Sequence, residues 1–268
     1  MLQIVDDKFL FKKLFSKKFE EVLKKFPEFY EFIMNLFVYG TGYVVGGFAR
    51  DSINNKNSRD LDMITSVSQD ILENLLNNSK LKYTKNKMLG IKINLKDFEI
   101  DIWSIENNWA FRDQVVKRND DYILDNISDG CFYNYDGIVI NIHNKNFRSN
   151  HYNDFVKNRR LDIIQKSDVY KSKNPTVESN ILRAIYLNEL YGVDITPNCM
   201  EYLVKIIDTL SENYDLRNRM NIYLNKYSKY KSILSIEDVM DAIKFIKYIN
   251  ANRVDSKKLP GQLNIKFN

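Results

Sequence analysis

The chain has 268 residues, 44% of them hydrophobic, with 40 Lys and Arg against 35 Asp and Glu for a formal charge of +5. That is enough apolar material for one large or two small globular domains, and no window approaches the ~18 apolar residues of a membrane span. Cys131 and Cys199 lie far apart and outside any C-x-x-C spacing, which excludes a disulfide framework and a zinc site and predicts a reducing, cytoplasmic setting without a membrane partner.

From the N-terminus, Phe9 to Phe37 repeat apolar residues every three or four positions, the pattern of one helix or of two broken near Pro27. Tyr43–Gly47 and Leu61–Ser66 read as strands and Gln69–Asn78 as a helix. Met88–Leu95 and Phe98–Ile105 read as a hairpin around Lys96-Asp97. A turn at Asp136-Gly137 opens a strand over Gly137–His143. Beyond residue 173 the periodicity is helical, over Val177–Leu190, Asn198–Leu210, Leu216–Tyr230 and Ile236–Ile249, with Asn174-Pro175 as a start signal. The expectation is an α+β fold: an N-terminal helical extension (1–40), a head with a small mixed sheet (41–149), and an all-α part (150–268).

The chemistry gathers in YVVGGFARDSINNKNSRDLDMITS, Tyr43–Ser66. Strand alternation puts Asp60 and Asp62 on one face, and Glu99 and Asp101 likewise share a face in FEIDIWSI. Like charges held so close repel unless a cation neutralises them, and hard carboxylate oxygens suit Mg²⁺ or Mn²⁺. Three carboxylates around two cations would suit in-line displacement at phosphorus. The glycines fit the same chemistry, because Gly46-Gly47 at a strand end before a helix lets backbone N–H groups approach a phosphate. Arg50 is placed either on the nucleotide or in support of the sheet, and Asp51 beside it.

The stretch GGFARDSINNKNSRDLDMIT resembles the head signature of class II tRNA nucleotidyltransferases (CCA-adding enzymes) and bacterial poly(A) polymerases, in the DNA polymerase β-like nucleotidyltransferase superfamily. The resemblance implies that Asp60 and Asp62 bind the catalytic metals, that Asp101 or Glu99 is the third carboxylate, and that Gly46, Gly47, Arg50, Asp51 and Arg59 handle an NTP, ATP or CTP. It extends to LDNISDGCFYNYDGIVIN, which keeps Asp125 but has Ile123, Leu124 and Asp129 where the family has two arginines and an asparagine. It reaches a neck helix in ILRAIYLNELYGVDITPNCMEYL through Arg183, Gly192 and Pro197. The base-selecting E-D-x-x-R falls on Thr176, Val177 and Asn180, so the base is not specified.

Between Lys145 and Lys173 eight basic residues stand against three acids, a footprint for a polyanion. Lys157, Arg159, Arg160, Lys171 and Lys173 are the candidate RNA contacts. Phe147, Tyr152, Phe155 and Tyr170 are either base-stacking platforms or core residues. The expected activity is transfer of nucleotide to the 3′ hydroxyl of an RNA, a tRNA end foremost. Two alternatives stay open: transfer to a protein or small-molecule hydroxyl, and a non-catalytic RNA-binding relative.

Overall fold

Phe11, Phe15 and Phe19 recur every fourth residue, so a helix carries them on one stripe, and α1 (Lys8–Lys25) buries all three. Asp7 caps it by accepting from the Leu10 N–H at 2.9 Å. In α2 (Pro27–Tyr39) Pro27 sits in the first turn, where its missing N–H has no partner to lose, and Phe29, Phe32, Ile33 and Leu36 are buried. The computed structural model describes residues 2–165 and 177–255.

The strands and helices that follow are β1 (Gly42–Val45), α3 (Gly47–Ile53), β2 (Asp60–Thr65), α4 (Gln69–Asn77), β3 (Tyr83–Lys85), β4 (Ile91–Leu95) and β5 (Phe98–Ser104). They continue with α5 (Trp109–Arg112), α6 (Ile123–Asp129), β6 (Val139–Asn141), β7 (Phe147–Arg148) and α7 (Asn150–Asn158). The seven strands run in the order β3-β4-β5-β2-β1-β6-β7. Only the β2–β5 pair among them is parallel, which makes the sheet mixed as expected.

One face of this sheet is apolar. Val44, Leu61, Met63, Ile91, Ile93, Ile100, Ile102 and Ile140 are buried on it in one core with the phenylalanines of α1 and α2 and with Leu72 and Leu76 of α4. Phe15 and Phe19 meet Phe48 of α3 edge-on at 5.8 and 6.3 Å, and Phe26 stacks on Phe98 at 6.2 Å. The N-terminal helices are therefore a layer of the head core, and residues 2–157 form one compact unit. Helix α7 belongs to it because Tyr152 and Phe155 are fully buried.

The second unit begins at Asn158. It holds β8 (Arg160–Leu161), α8 (Val177–Tyr191), β9 (Asp194–Ile195), α9 (Pro197–Asn213), α10 (Leu216–Lys226), α11 (Ser228–Lys231) and α12 (Ile236–Asp255). The all-α expectation needs one correction, since β8 and β9 pair in parallel through two residues each. Strands this short leave no alternation to detect in a sequence.

Candidate active site

The site is built on the face of the sheet opposite the core. Register fixes it: in the parallel β2–β5 pair Asp60 stands opposite Glu99 and Asp62 opposite Asp101, while antiparallel β4 sets Lys92 opposite Asp101. All five side chains share the polar face because their neighbours Leu61, Met63, Ile100, Ile102, Ile91 and Ile93 fill the other. Lys92 is a residue of this face that the sequence reading left out. Its Nζ lies 2.9 Å from a Glu99 oxygen and 3.5 Å from an Asp101 oxygen, and its side chain is 40% exposed.

The electrostatics follow from this crowding. Burial pushes the Asp101 carboxyl above the usual carboxylate range, Lys92 pulls it back, and Glu99 and Asp60 push it up again. Asp60 is half-exposed and is met by Arg59 at 3.3 Å. The donor set is all hard oxygen, as Mg²⁺ or Mn²⁺ requires. Among the described residues no three His, Cys, Asp or Glu side chains already converge as an ion-binding group, and Lys92 supplies the positive charge in their midst.

The glycine turn borders the carboxylates. Gly46 has φ +64° and ψ −111°, a conformation closed to side-chain-bearing residues, and it is pinned by its N–H donating to the Ile138 carbonyl at 2.8 Å. A Cβ on Gly47 would stand 3.8 Å from Asp60 Oδ1, so the bare backbone at the start of α3 lies against the acidic face.

Arg50 supports the sheet. It is buried, its Nη1 donates to the Tyr135 carbonyl at 3.1 Å and to Asp136 Oδ1 at 3.0 Å, and its guanidinium lies 3.7 Å from the centre of the Tyr135 ring. Asp51 beside it is half-buried, and desolvation pushes its carboxyl upward against the pull of Arg50, Ser58 and Lys56. Asp125 is bound by Arg148 at 2.5 Å and lines a polar cavity of about 1060 Å³ with Tyr43, Asn141 and Arg148. Arg183 is half-buried on α8 in the second unit.

Several charges of the basic segment have partners within their own unit. Lys145 is half-buried against the Phe15 and Phe19 rings, and the Arg159 guanidinium donates to the Tyr191 and Gly192 carbonyls at the end of α8. Lys157 and Arg160 are exposed, whereas Lys166, Lys171, Lys173, Tyr170 and Thr176 lie outside the described residues. Of the aromatics considered for base stacking, Tyr152 and Phe155 are core, because α7 turns them inward. Burial pushes the Tyr152 hydroxyl up to about 12. Phe147 packs partly buried against the same core.

Residues 42–130 match the family model described as the poly A polymerase head domain. The match covers about a third of the chain, all of it within the first unit. Solved CCA-adding enzymes share the fold: one complexed with CTP aligns with a TM-score of 0.59 at 16% identity, covering 92% of this chain and 57% of that one. One with ATP gives 0.56 at 17%, covering 96% and 55%. The Thermotoga maritima enzyme complexed with tRNA gives 0.55 at 17%, also covering 96% and 55%. The chain thus spans little more than half the length of these structures. No curated protein matches the chain by sequence. No helix among the described residues is long and apolar enough to cross a membrane.

Proposed function

We propose that this chain is a metal-dependent nucleotidyltransferase that moves a nucleotide from an NTP to the 3′ hydroxyl of an RNA, a tRNA or tRNA-like end being the acceptor. The observation that carries the reading is the parallel register of β2 and β5, which sets Asp60 and Asp62 against Glu99 and Asp101 beside the bare Gly47 backbone of a poly(A) polymerase head. Asp60, Asp62 and Asp101 would hold Mg²⁺ or Mn²⁺. When bound, such a cation neutralises the triphosphate and acidifies the acceptor hydroxyl.

This chain's own residues do the remaining work. Gly46 and Gly47 offer backbone N–H groups to the triphosphate, with Arg59 at the rim and Asp51 nearby. Asp101 is favoured over Glu99 as the third carboxylate because it is the less exposed of the two and faces Asp62 in register. Glu99, held by Lys92, is placed to orient that ammonium and to take the proton of the hydroxyl. The acceptor oxygen bonds to the α-phosphorus, the α–β bridging bond breaks, and pyrophosphate leaves with the electron pair. Positioning and charge supply most of the acceleration in such a displacement.

The base added is a separate question. Asn180, at a position where the resembled family reads the base, donates to the Tyr202 hydroxyl at 2.8 Å and is buried. The CCA-adding enzymes with ATP and CTP make both nucleotides candidates here. The test is incubation with total tRNA, Mg²⁺ or Mn²⁺ and each labelled NTP in turn. Label on RNA with wild type and none with Asp60→Ala/Asp62→Ala supports the proposal. Label on protein alone would assign a different acceptor, and no label anywhere would overturn the catalytic reading.

A further inference from the structure

A second feature lies in the helical unit, built on residues that the nucleotidyl-transfer chemistry does not use. Between Tyr214 and Lys231 the chain carries five basic residues, one acid and four tyrosines. Arg219, Tyr223 and Lys226 fall four and three residues apart on α10 and so share one helical stripe, and Tyr227 follows in extended conformation at the end of that helix.

Arg219 organises it. Its Nε donates to Glu178 at 2.6 Å, and Glu178 is a buried carboxylate of α8 that needs a cation. The guanidinium carbon lies 4.8 Å from the centre of the Tyr214 ring and 5.4 Å from that of Tyr223. The carboxylate and the two rings together restrict where the guanidinium can sit. Its Nη1 and Nη2 donate to no acceptor among the described residues, and the side chain is 36% exposed. Lys226 extends the series, 5.7 Å from the Tyr223 and Tyr227 ring centres, and pairs with no acid among the described residues. Tyr214 is 54% exposed, and Tyr223 and Tyr227 are half-exposed. Arg217, by contrast, is neutralised by Glu237.

A preorganised guanidinium fork matches the two oxygens of a phosphate, and exposed rings beside it match bases, which stack on aromatic side chains whatever their identity. Phosphate alone would need only the cations, and an apolar partner only the rings; a polynucleotide uses both. Accordingly, we propose that the Tyr214–Arg219–Tyr223–Lys226–Tyr227 stripe binds a single-stranded stretch of RNA, Arg219 and Lys226 holding phosphates while the tyrosines stack bases. The inference rests on the reading that the acceptor is an RNA.

The experiment is fluorescence anisotropy with the full chain and a labelled single-stranded RNA of about 16 nucleotides, the upper end of common site sizes. Tyr214→Ala and Tyr223→Ala should each weaken binding by about fivefold or more, and Lys226→Gln should lower the magnitude of the log-affinity against log-salt slope by about 0.7. Arg219→Lys keeps the charge against Glu178 and should still lose affinity, because an ammonium lacks the fork. Circular dichroism melting identifies the variants that fold; Tyr214, the most exposed, provides the substitution least coupled to packing. Wild-type binding with folded variants within about twofold of it would overturn this inference and leave the proposed transfer standing. No wild-type binding, with label going to protein in the transfer assay, would overturn both. Binding of a polyglutamate peptide that is lost in the variants while RNA binding persists would reassign the stripe to acidic proteins and overturn it too.

Discussion

The Arg50–Asp136 pair gives the sharpest test of how this head is built. Arg50 is 9% and Asp136 19% exposed by side chain, 3.0 Å apart, with the guanidinium over the Tyr135 ring. In Asp136→Ala a buried guanidinium loses its counter-charge, a change that costs roughly 3–5 kcal/mol at buried pairs. Here the Tyr135 carbonyl and ring still hold the group, so the lower end applies, about 3 kcal/mol. For a unit of this size 1 kcal/mol moves the midpoint by about 2–4 °C, so scanning calorimetry should show a drop of about 6–12 °C. Removing both charges, as Arg50→Met with Asp136→Leu, should recover all but about 1 kcal/mol of the loss. Nucleotide affinity, read by equilibrium dialysis below the variant's melting point, should change little in Asp136→Ala. A loss under about 1 kcal/mol would show that the pair is not a scaffold element. A stable variant that loses nucleotide would instead put Arg50 on the triphosphate.

Three further outcomes are expected. Gly46→Ala forces a side chain into φ +64°, ψ −111° and should cost about 1–3 kcal/mol in urea unfolding; an unchanged midpoint would contradict the backbone constraint. For Asp51 the folded carboxyl titrates above its unfolded value, so its contribution favours folding below pH about 3.9 and is lost as pH rises through the folded value. Asp51→Asn should therefore gain stability relative to wild type between pH 3.5 and 7, and a difference that is flat with pH would refute the desolvation argument. Lys92→Met removes the ammonium that competes for Glu99 and Asp101, two partly exposed pairs worth about 0.2–1 kcal/mol each. Mn²⁺ affinity measured by electron paramagnetic resonance should rise by up to about tenfold, and a fall would make Lys92 part of the binding set.

Much of the candidate site was legible because strand alternation has a period of two. Asp60, Asp62, Glu99 and Asp101 had to share faces once β2 and β5 were recognised, and the two-residue Lys96-Asp97 loop also implied that Lys92 pairs with Asp101. Lys92 left no such mark, because repulsion singles out the like charges and not the cation that relieves them. The N-terminal phenylalanines announced their helices, yet their place as a layer beneath the sheet came from pairing Phe15 and Phe19 with Phe48, and Phe26 with Phe98, across long sequence separations. In the basic segment a count of charges does not reveal that Lys145, Arg148 and Arg159 each find a local partner.

By itself, then, the sequence determined the elements and the chemical type of the site, since helical and strand periodicities and the spacing of carboxylates are local properties of the chain. Tertiary structure decided what each charge meets. It buried Arg50 against Tyr135 and Asp136, and it tied Arg219 of α10 to the buried Glu178 of α8. Those outcomes depend on which strands become neighbours and in what register, and contacts between residues 40 to 90 positions apart leave no periodic trace in one sequence.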